Sequence, residues 1–218
     1  MADRTIEDRL REEYFALLPD IRRISGQLET AIRYHLLPIS EQLTGYEQLV
    51  VKSRIKDCES ALEKLRPPEA KTFDLDRPDD FYTLRSLNDL AGVRVLAFPP
   101  RRLTEIDKML RERFPTWESD PVMDGDKHLA FKYSGHYQAG DQVKAEYQIV
   151  LTLIGLFWEV EHSTIYKPDP RLKGIADSIE MTQQRTMVNK ALTAFETEFE
   201  RLYRMNEESS HHGDRRVF

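Results

Sequence analysis

Cysteine is nearly missing from this sequence: Cys58 is the single one in 218 residues. That count excludes a disulfide framework within one chain and a cysteine-rich zinc site. Long apolar runs are missing as well. The longest uncharged apolar stretch extends only from Tyr147 to Trp158, well short of the ~20 residues that a membrane-spanning helix needs. The N-terminus, MADRTIEDRLREE, has no apolar core of the signal-peptide kind, so a reducing, cytoplasmic location with no membrane partner is the expectation. Nor is there an excess of positive charge: 32 Lys and Arg stand against 38 Asp and Glu, a formal charge of −6. Non-specific binding to nucleic acid or to anionic membrane runs on net positive charge. Only a local basic cleft could serve a polyanion here. What is present is 40% hydrophobic and 32% charged residues, the composition of a folded chain long enough for one domain with helical flanks.

Thr5 and Asp8 stand at capping-box spacing and predict a helix toward Leu18, with Ile6, Leu10, Tyr14 and Leu17 on one face. A second helix is predicted from about Pro19 to Leu36, ended by Pro38. Thr44 and Glu47 repeat the capping pattern and predict a third helix to Leu65, stopped by Pro67 and Pro68. The period then changes. Val93 to Phe98 is predicted as a buried strand, Thr104 to Phe114 as a helix, and His128 to Tyr133 and Val143 to Leu151 as strands. Beyond Asp169 the chain is predicted helical to about Met205. This order implies an α+β fold: a small central mixed sheet flanked by N- and C-terminal helices. The expected divisions are an N-terminal helical extension over 1–40, a central domain over 41–168, C-terminal helices over 169–206 and a disordered polar tail over 207–218.

Three groups of residues could carry chemistry. In the predicted third helix, Lys56, Ser60 and Lys64 are four residues apart and share a face, with Arg54 near the row's N-terminal end. Two ammonium groups and a hydroxyl in a row can grip a polyphosphate, and a guanidinium can chelate phosphate or stack on a base. Taken alone, such a row is more often a solvated charged face, here partnered by Glu59 and Glu63. Next, Asp89 and Gly92 precede the predicted strand at Val93. A carboxylate there can present a metal ligand at a sheet edge, or simply cap a turn. Last, strand alternation places Lys144, Glu146, Gln148 and Val150 on one face, which could line a cleft or be the wet face of a sheet. Cys58 lies on the apolar seam of its helix and reads as a small buried hydrophobe. Trp117 and Trp158 read as core or cleft-wall residues, and His211 and His212 as tail.

Taken together and in order, these pieces resemble the synthetase domain of the RelA/SpoT family. The pattern R-x-K-x-x-x-S-x-x-x-K is met by Arg54, Lys56, Ser60 and Lys64, and D-L-x-G-x-R by Asp89 to Arg94. The strand motif E-x-Q is met by Glu146 and Gln148, and E-H-x-x-x-Y-K by Glu161, His162, Tyr166 and Lys167. The resemblance covers roughly residues 45 to 168, and four weak motifs in the right order are specific together. It implies a nucleotidyltransferase-like fold and transfer of pyrophosphate from ATP to the 3′-hydroxyl of GDP or GTP. It also implies that Arg54, Lys56, Ser60, Lys64 and Arg94 hold ATP, that Asp89 and Glu146 bind Mg2+, and that Glu146 helps to deprotonate the acceptor. Small stand-alone members often form homo-oligomers.

The departures fall on the acceptor side. The family's K-x-N-G-Y-x-S-x-H, whose tyrosine stacks on guanine, faces Lys132-Tyr133-Ser134-Gly135-His136-Tyr137 here. Anchoring on His136 puts Lys132 at the tyrosine position; anchoring on Lys132 shortens the loop. Tyr133 and Tyr137 are the aromatic substitutes at hand. Val150 and Leu151 stand where the family's E-x-Q-x-R-T has arginine and threonine. Two alternatives therefore accompany the guanine-nucleotide reading. One is the same chemistry on an adenine nucleotide or a tRNA 3′ end. The other is a non-catalytic nucleotide-binding regulator.

Overall fold

A computed structural model describes residues 5–67, 72–74, 77–78, 80–124, 127–166 and 170–213, with backbone only for 124, 127, 166, 170 and 207–213. The chain opens with helix α1 (Ile6–His35) and a short α2 (Leu37–Ser40). The capping box forms as expected: the Thr5 side chain accepts from the Asp8 N–H, and the Asp8 carboxylate accepts from the Thr5 N–H. The predicted break at Pro19 does not occur, and the two expected helices are one. Pro19 lies on the exposed side, where the carbonyl left without its helical donor can bond water. The opposite side of α1 buries Leu10, Leu17, Ile21, Ile24, Leu28 and Ile32 in the common core. The helices expected as an extension are thus integral to the domain.

The third expected helix is corrected. Gln48–Ile55 is a strand, β1, and only Cys58–Leu65 is helical, as α3. Thr44 and Glu47 form a local turn in which the Thr44 N–H donates to the Glu47 carboxylate at 2.9 Å. The helix cap is Asp57, which accepts from the Ser60 N–H at 2.8 Å. Strand β2 (Ala91–Phe98) follows, then α4 (Arg101–Arg113), the short β3 (Glu118–Ser119) and β4 (Val122–Asp124), and the long β5 (Lys127–Gly135) and β6 (Ala145–Leu151). The apolar run from Tyr147 spans the rest of β6 and much of α5 (Thr152–Glu161), which passes into a π-helical turn, His162–Tyr166. A short α6 (Lys173–Ala176) leads to α7 (Ile179–Gly213). The tail expected to be disordered from 207 is therefore helical to Gly213, a stretch with no proline to stop it; residues 214–218 lie outside the described residues. Among the described residues no helix is long and apolar enough to cross a membrane.

The sheet order is β1-β2-β6-β5-β3, with β4 also paired to β5. Only β2 and β6 run parallel; the β1–β2 and β5–β6 pairs are antiparallel. Register decides the rest of the architecture. Because paired residues share a face, Val51, Val93, Val95, Tyr147, Ile149 and Tyr133 fall on one side, where α1 and α4 cover them. The other side carries Lys52, Arg54, Arg94, Glu146, Gln148 and Lys132 at one end of the strands, and Leu96 and Val150 at the other. Helix α5 lies on the apolar end. It comes so close that a Cβ on Gly155 would stand 2.4 Å from the Leu96 Cδ2. The polar end stays open between α3 and α5.

Candidate active site

One row across the sheet reads Arg54, Gly92, Glu146 and Ser134; the next reads Lys52, Arg94, Gln148 and Lys132. Gly92 sits between Arg54 and Glu146, and a Cβ there would meet the Glu146 carbonyl oxygen at 3.2 Å. A bare backbone at this point keeps the floor between cation and carboxylate clear.

The motif expected on a single helix is divided among three local structures. Arg54 is in β1, Lys56 is in the extended link held by its N–H to the Leu90 carbonyl at 3.0 Å, and Ser60 and Lys64 are in α3. The side chains still converge. Lys56 Nζ lies 3.1 Å and Lys64 Nζ 3.0 Å from the Asp89 Oδ2. Burial alone would raise the Asp89 carboxyl, but the two ammonium groups outweigh it and hold it below the ordinary range. The Ser60 hydroxyl bonds the Asp57 carboxylate that caps α3.

Glu146 behaves oppositely. Burial raises its carboxyl above the ordinary value and Asp89 adds to the effect, while the Gln148 hydrogen bond, Lys132 and Arg54 work against it. The Gln148 amide donates to Glu146 through Nε2 and accepts from Arg94 at 3.0 and 3.2 Å through Oε1. Burial, and then the nearby Arg54, lower the Arg94 guanidinium. Two guanidiniums and two carboxylates therefore sit within reach of one another on a half-buried floor.

This set can be tested for a divalent ion. Asp89 Oδ1 is buried and has no hydrogen-bond partner among the described residues. Magnesium takes one or two carboxylates and completes its shell with water and phosphate oxygens. Asp89 and Glu146 supply that donor type, and no larger acidic or histidine cluster exists among the described residues. The residues fit the ion.

Beside the carboxylates, a cleft of about 620 Å³ is lined by Arg54, Lys56, Ser60 and Arg94 on one wall and by Trp158, Glu159, Glu161, His162 and Arg185 on the other. Sequence reasoning missed three of these contributors. Lys52 pairs with Glu159 at 3.2 Å, Glu159 also reaches Arg94 at 3.7 Å, and Arg185 of α7 bonds Glu161. Their only sequence signal was the E-H motif two residues after Glu159. The motif's Lys167 lies outside the described residues, as does the Tyr166 side chain.

The acceptor-side residues are not all brought here. Lys132 and Gln148 share the site face. Tyr133 does not: it points to the α4 side, stacks on Tyr147 at 4.9 Å and donates to Asp107 at 2.5 Å. Strand alternation forces this, since Lys132 and Tyr133 are neighbours and only one can face the cleft. Tyr137 lies in a hollow against α1 with Gly26, Thr30 and Tyr34. His136 is exposed just past β5. Val150, where an arginine was expected, is fully buried; a Cβ on Gly155 of α5 would lie 3.4 Å from its Cγ1. An arginine at that position would be buried beneath α5.

No protein-family model matches the sequence, and neither does any curated protein. Solved structures do match in fold. A GTP pyrophosphokinase family protein from Streptococcus pneumoniae superposes with a TM-score of 0.65 at 19% identity, over 91% of this chain and 96% of that one. The small alarmone synthetase 1 from Bacillus subtilis bound to AMPCPP gives 0.63 at 18% identity, over 90% and 99%. The same enzyme bound to its product pppGpp gives 0.61 at 18% identity, over 91% and 99%. The chain has the mixed α/β fold of these proteins, helices at both ends included.

Proposed function

We propose, from a fold shared with small alarmone synthetases, that this chain transfers pyrophosphate from ATP to the 3′-hydroxyl of a guanine nucleotide, with Mg2+ held by Asp89 and Glu146. The observation that carries the reading is the convergence of Lys56 and Lys64 on the partly buried Asp89, beside Glu146 and a cation-lined cleft. The neighbours bound to AMPCPP and to pppGpp support an adenine nucleotide as donor and a guanine nucleotide in the product.

Pyrophosphoryl transfer asks for positioning and charge neutralisation more than for covalent help. When bound, the ion supplies neutralisation of the phosphate oxygens. Arg54, Lys56, Ser60 and Arg94 line the cleft that takes the donor, and Lys56 and Lys64 keep Asp89 ionised. Lys56 is also placed to offset charge on the departing AMP. Glu146 takes the proton of the attacking hydroxyl. Gln148 fixes the rotamer of Glu146 and is itself fixed by Arg94.

A specific observation favours a second reading on the acceptor side. Both candidate stacking tyrosines stand away from the cleft, Tyr133 in the core and Tyr137 against α1. A site that receives the Lys132 cation and neither of these two tyrosines suits an acceptor held by its phosphates, which includes adenine nucleotides and a tRNA 3′ end. The test is label transfer from [γ-32P]ATP to GDP or GTP. Lys56→Ala is expected to lose roughly 10²–10³-fold in rate. Full activity in that variant sinks the reading.

A further inference from the structure

Helix α7 leaves one apolar stripe of its sequence outside while it docks through a face of mixed character. Val188, Phe195 and Leu202 are seven residues apart and share a face, yet Phe195 is 55% and Leu202 52% exposed. The side turned inward mixes Leu192, Phe199 and Tyr203, packed on the core, Phe98 and Tyr46, with Arg185, Glu196 and Glu200, and Glu196 is fully buried. Burial of apolar surface is the main force that docks a helix, and this helix gives part of it up. A local conflict of that kind marks a functional site more often than an error of packing.

The conflict has a place where it is used. Among the described residues, Arg185 is the one cation that the C-terminal helices bring to the wall of the ATP cleft. It is held there by Glu161, a carboxylate whose side chain is only 12% exposed. A carboxylate and a phosphate are interchangeable partners for a guanidinium fork. Across the cleft, Glu159 engages Arg94 in a similar way.

We infer that Arg185 is a donor-binding residue: it exchanges the Glu161 carboxylate for a phosphate oxygen of the nucleotide, so that α7 closes one wall of the ATP site. This rests on the ATP-dependent reading above. A purine ring stacked on the guanidinium is the competing role, and it predicts loss of adenosine as well as of ATP.

The test uses the full chain with Mg2+, following binding of ATP and of adenosine by tryptophan fluorescence, since Trp158 lines the cleft. Arg185→Ala is expected to weaken ATP by ~10-fold or more and to leave adenosine within about twofold. Arg185→Lys, which keeps the charge and perturbs the fold least, is expected to fall between wild type and the alanine variant. Unchanged ATP affinity in Arg185→Ala overturns the inference, and so does an equal loss of adenosine. AMP formation by the wild type separates the two proposals. ATP binding that depends on Arg185 without AMP formation removes the transfer reading and leaves this one. AMP formation with an unchanged ATP KM in Arg185→Ala does the reverse.

Discussion

At the scale of single residues, the site is governed by two carboxylates pushed in opposite directions. Asp89 is surrounded by ammonium groups and stays ionised; Glu146 is buried beside Asp89 and binds its proton more tightly than an exposed glutamate. With Mg2+ present, Glu146→Gln should lose nearly all transfer activity, roughly 10²–10⁴-fold in kcat/KM. Tyr133 gives the converse case. Its hydroxyl donates to the buried Asp107, and burial and that bond raise it to about 12. Tyr133→Phe should cost about 1 kcal/mol in denaturant unfolding and leave the acceptor KM unchanged. An acceptor KM that rises severalfold would mean that Tyr133 reaches the nucleotide after all.

At the scale of elements, the docking of α7 has a pH signature. Glu196 is buried against the start of α5, where it accepts from the Leu153 N–H at 3.3 Å. Burial, opposed by that bond, raises it from 4.5 to about 7. A carboxyl raised in the folded state contributes stability that is fully present below pH 4.5 and lost as pH rises through about 7. Thermal unfolding of the wild type should therefore weaken between pH 5 and pH 8, and Glu196→Gln should flatten that slope and gain at pH 8. An unchanged slope would place the titration elsewhere. The elements themselves were unevenly legible. The capping box at Thr5 and the helix α4 were plain because they rest on contacts within a few residues, and the core strand at Val93 because its continuous apolar run is bounded by glycine and proline. The strand β1 was not. The stretch Gln48–Ile55 carries Val50 and Val51 but also alternating charge, and it runs into a helix with no break beyond Asp57. What makes it a strand is its pairing with β2, Lys52 opposite Arg94 and Arg54 opposite Gly92, a non-local fact that local periodicity cannot carry.

At the scale of the whole molecule, the residues of the first motif converge although the helix expected to carry them did not form, because the motif encodes side-chain order and not secondary structure. Arg54, Lys56, Ser60 and Lys64 reach one region from a strand, a link and a helix as readily as from a single helix face. The acceptor half was less legible. A one-residue step along β5 moves a side chain from the cleft to the core, so Lys132 and Tyr133 could not be sorted without the register against β6. Arg185 was invisible for a different reason: it lies on a helix 24 residues from its partner Glu161 and belongs to no motif. The central claim is that this fold moves pyrophosphate from ATP. The most direct measurement is AMP release from ATP and Mg2+ with GDP, GTP, ATP, ADP or deacylated tRNA as acceptor, and Glu146→Gln as the control for hydrolysis. The account predicts AMP in equal amount to a 3′-pyrophosphorylated product, with GDP or GTP as the acceptor and none from Glu146→Gln. ATP that binds but yields no AMP with any acceptor would contradict it.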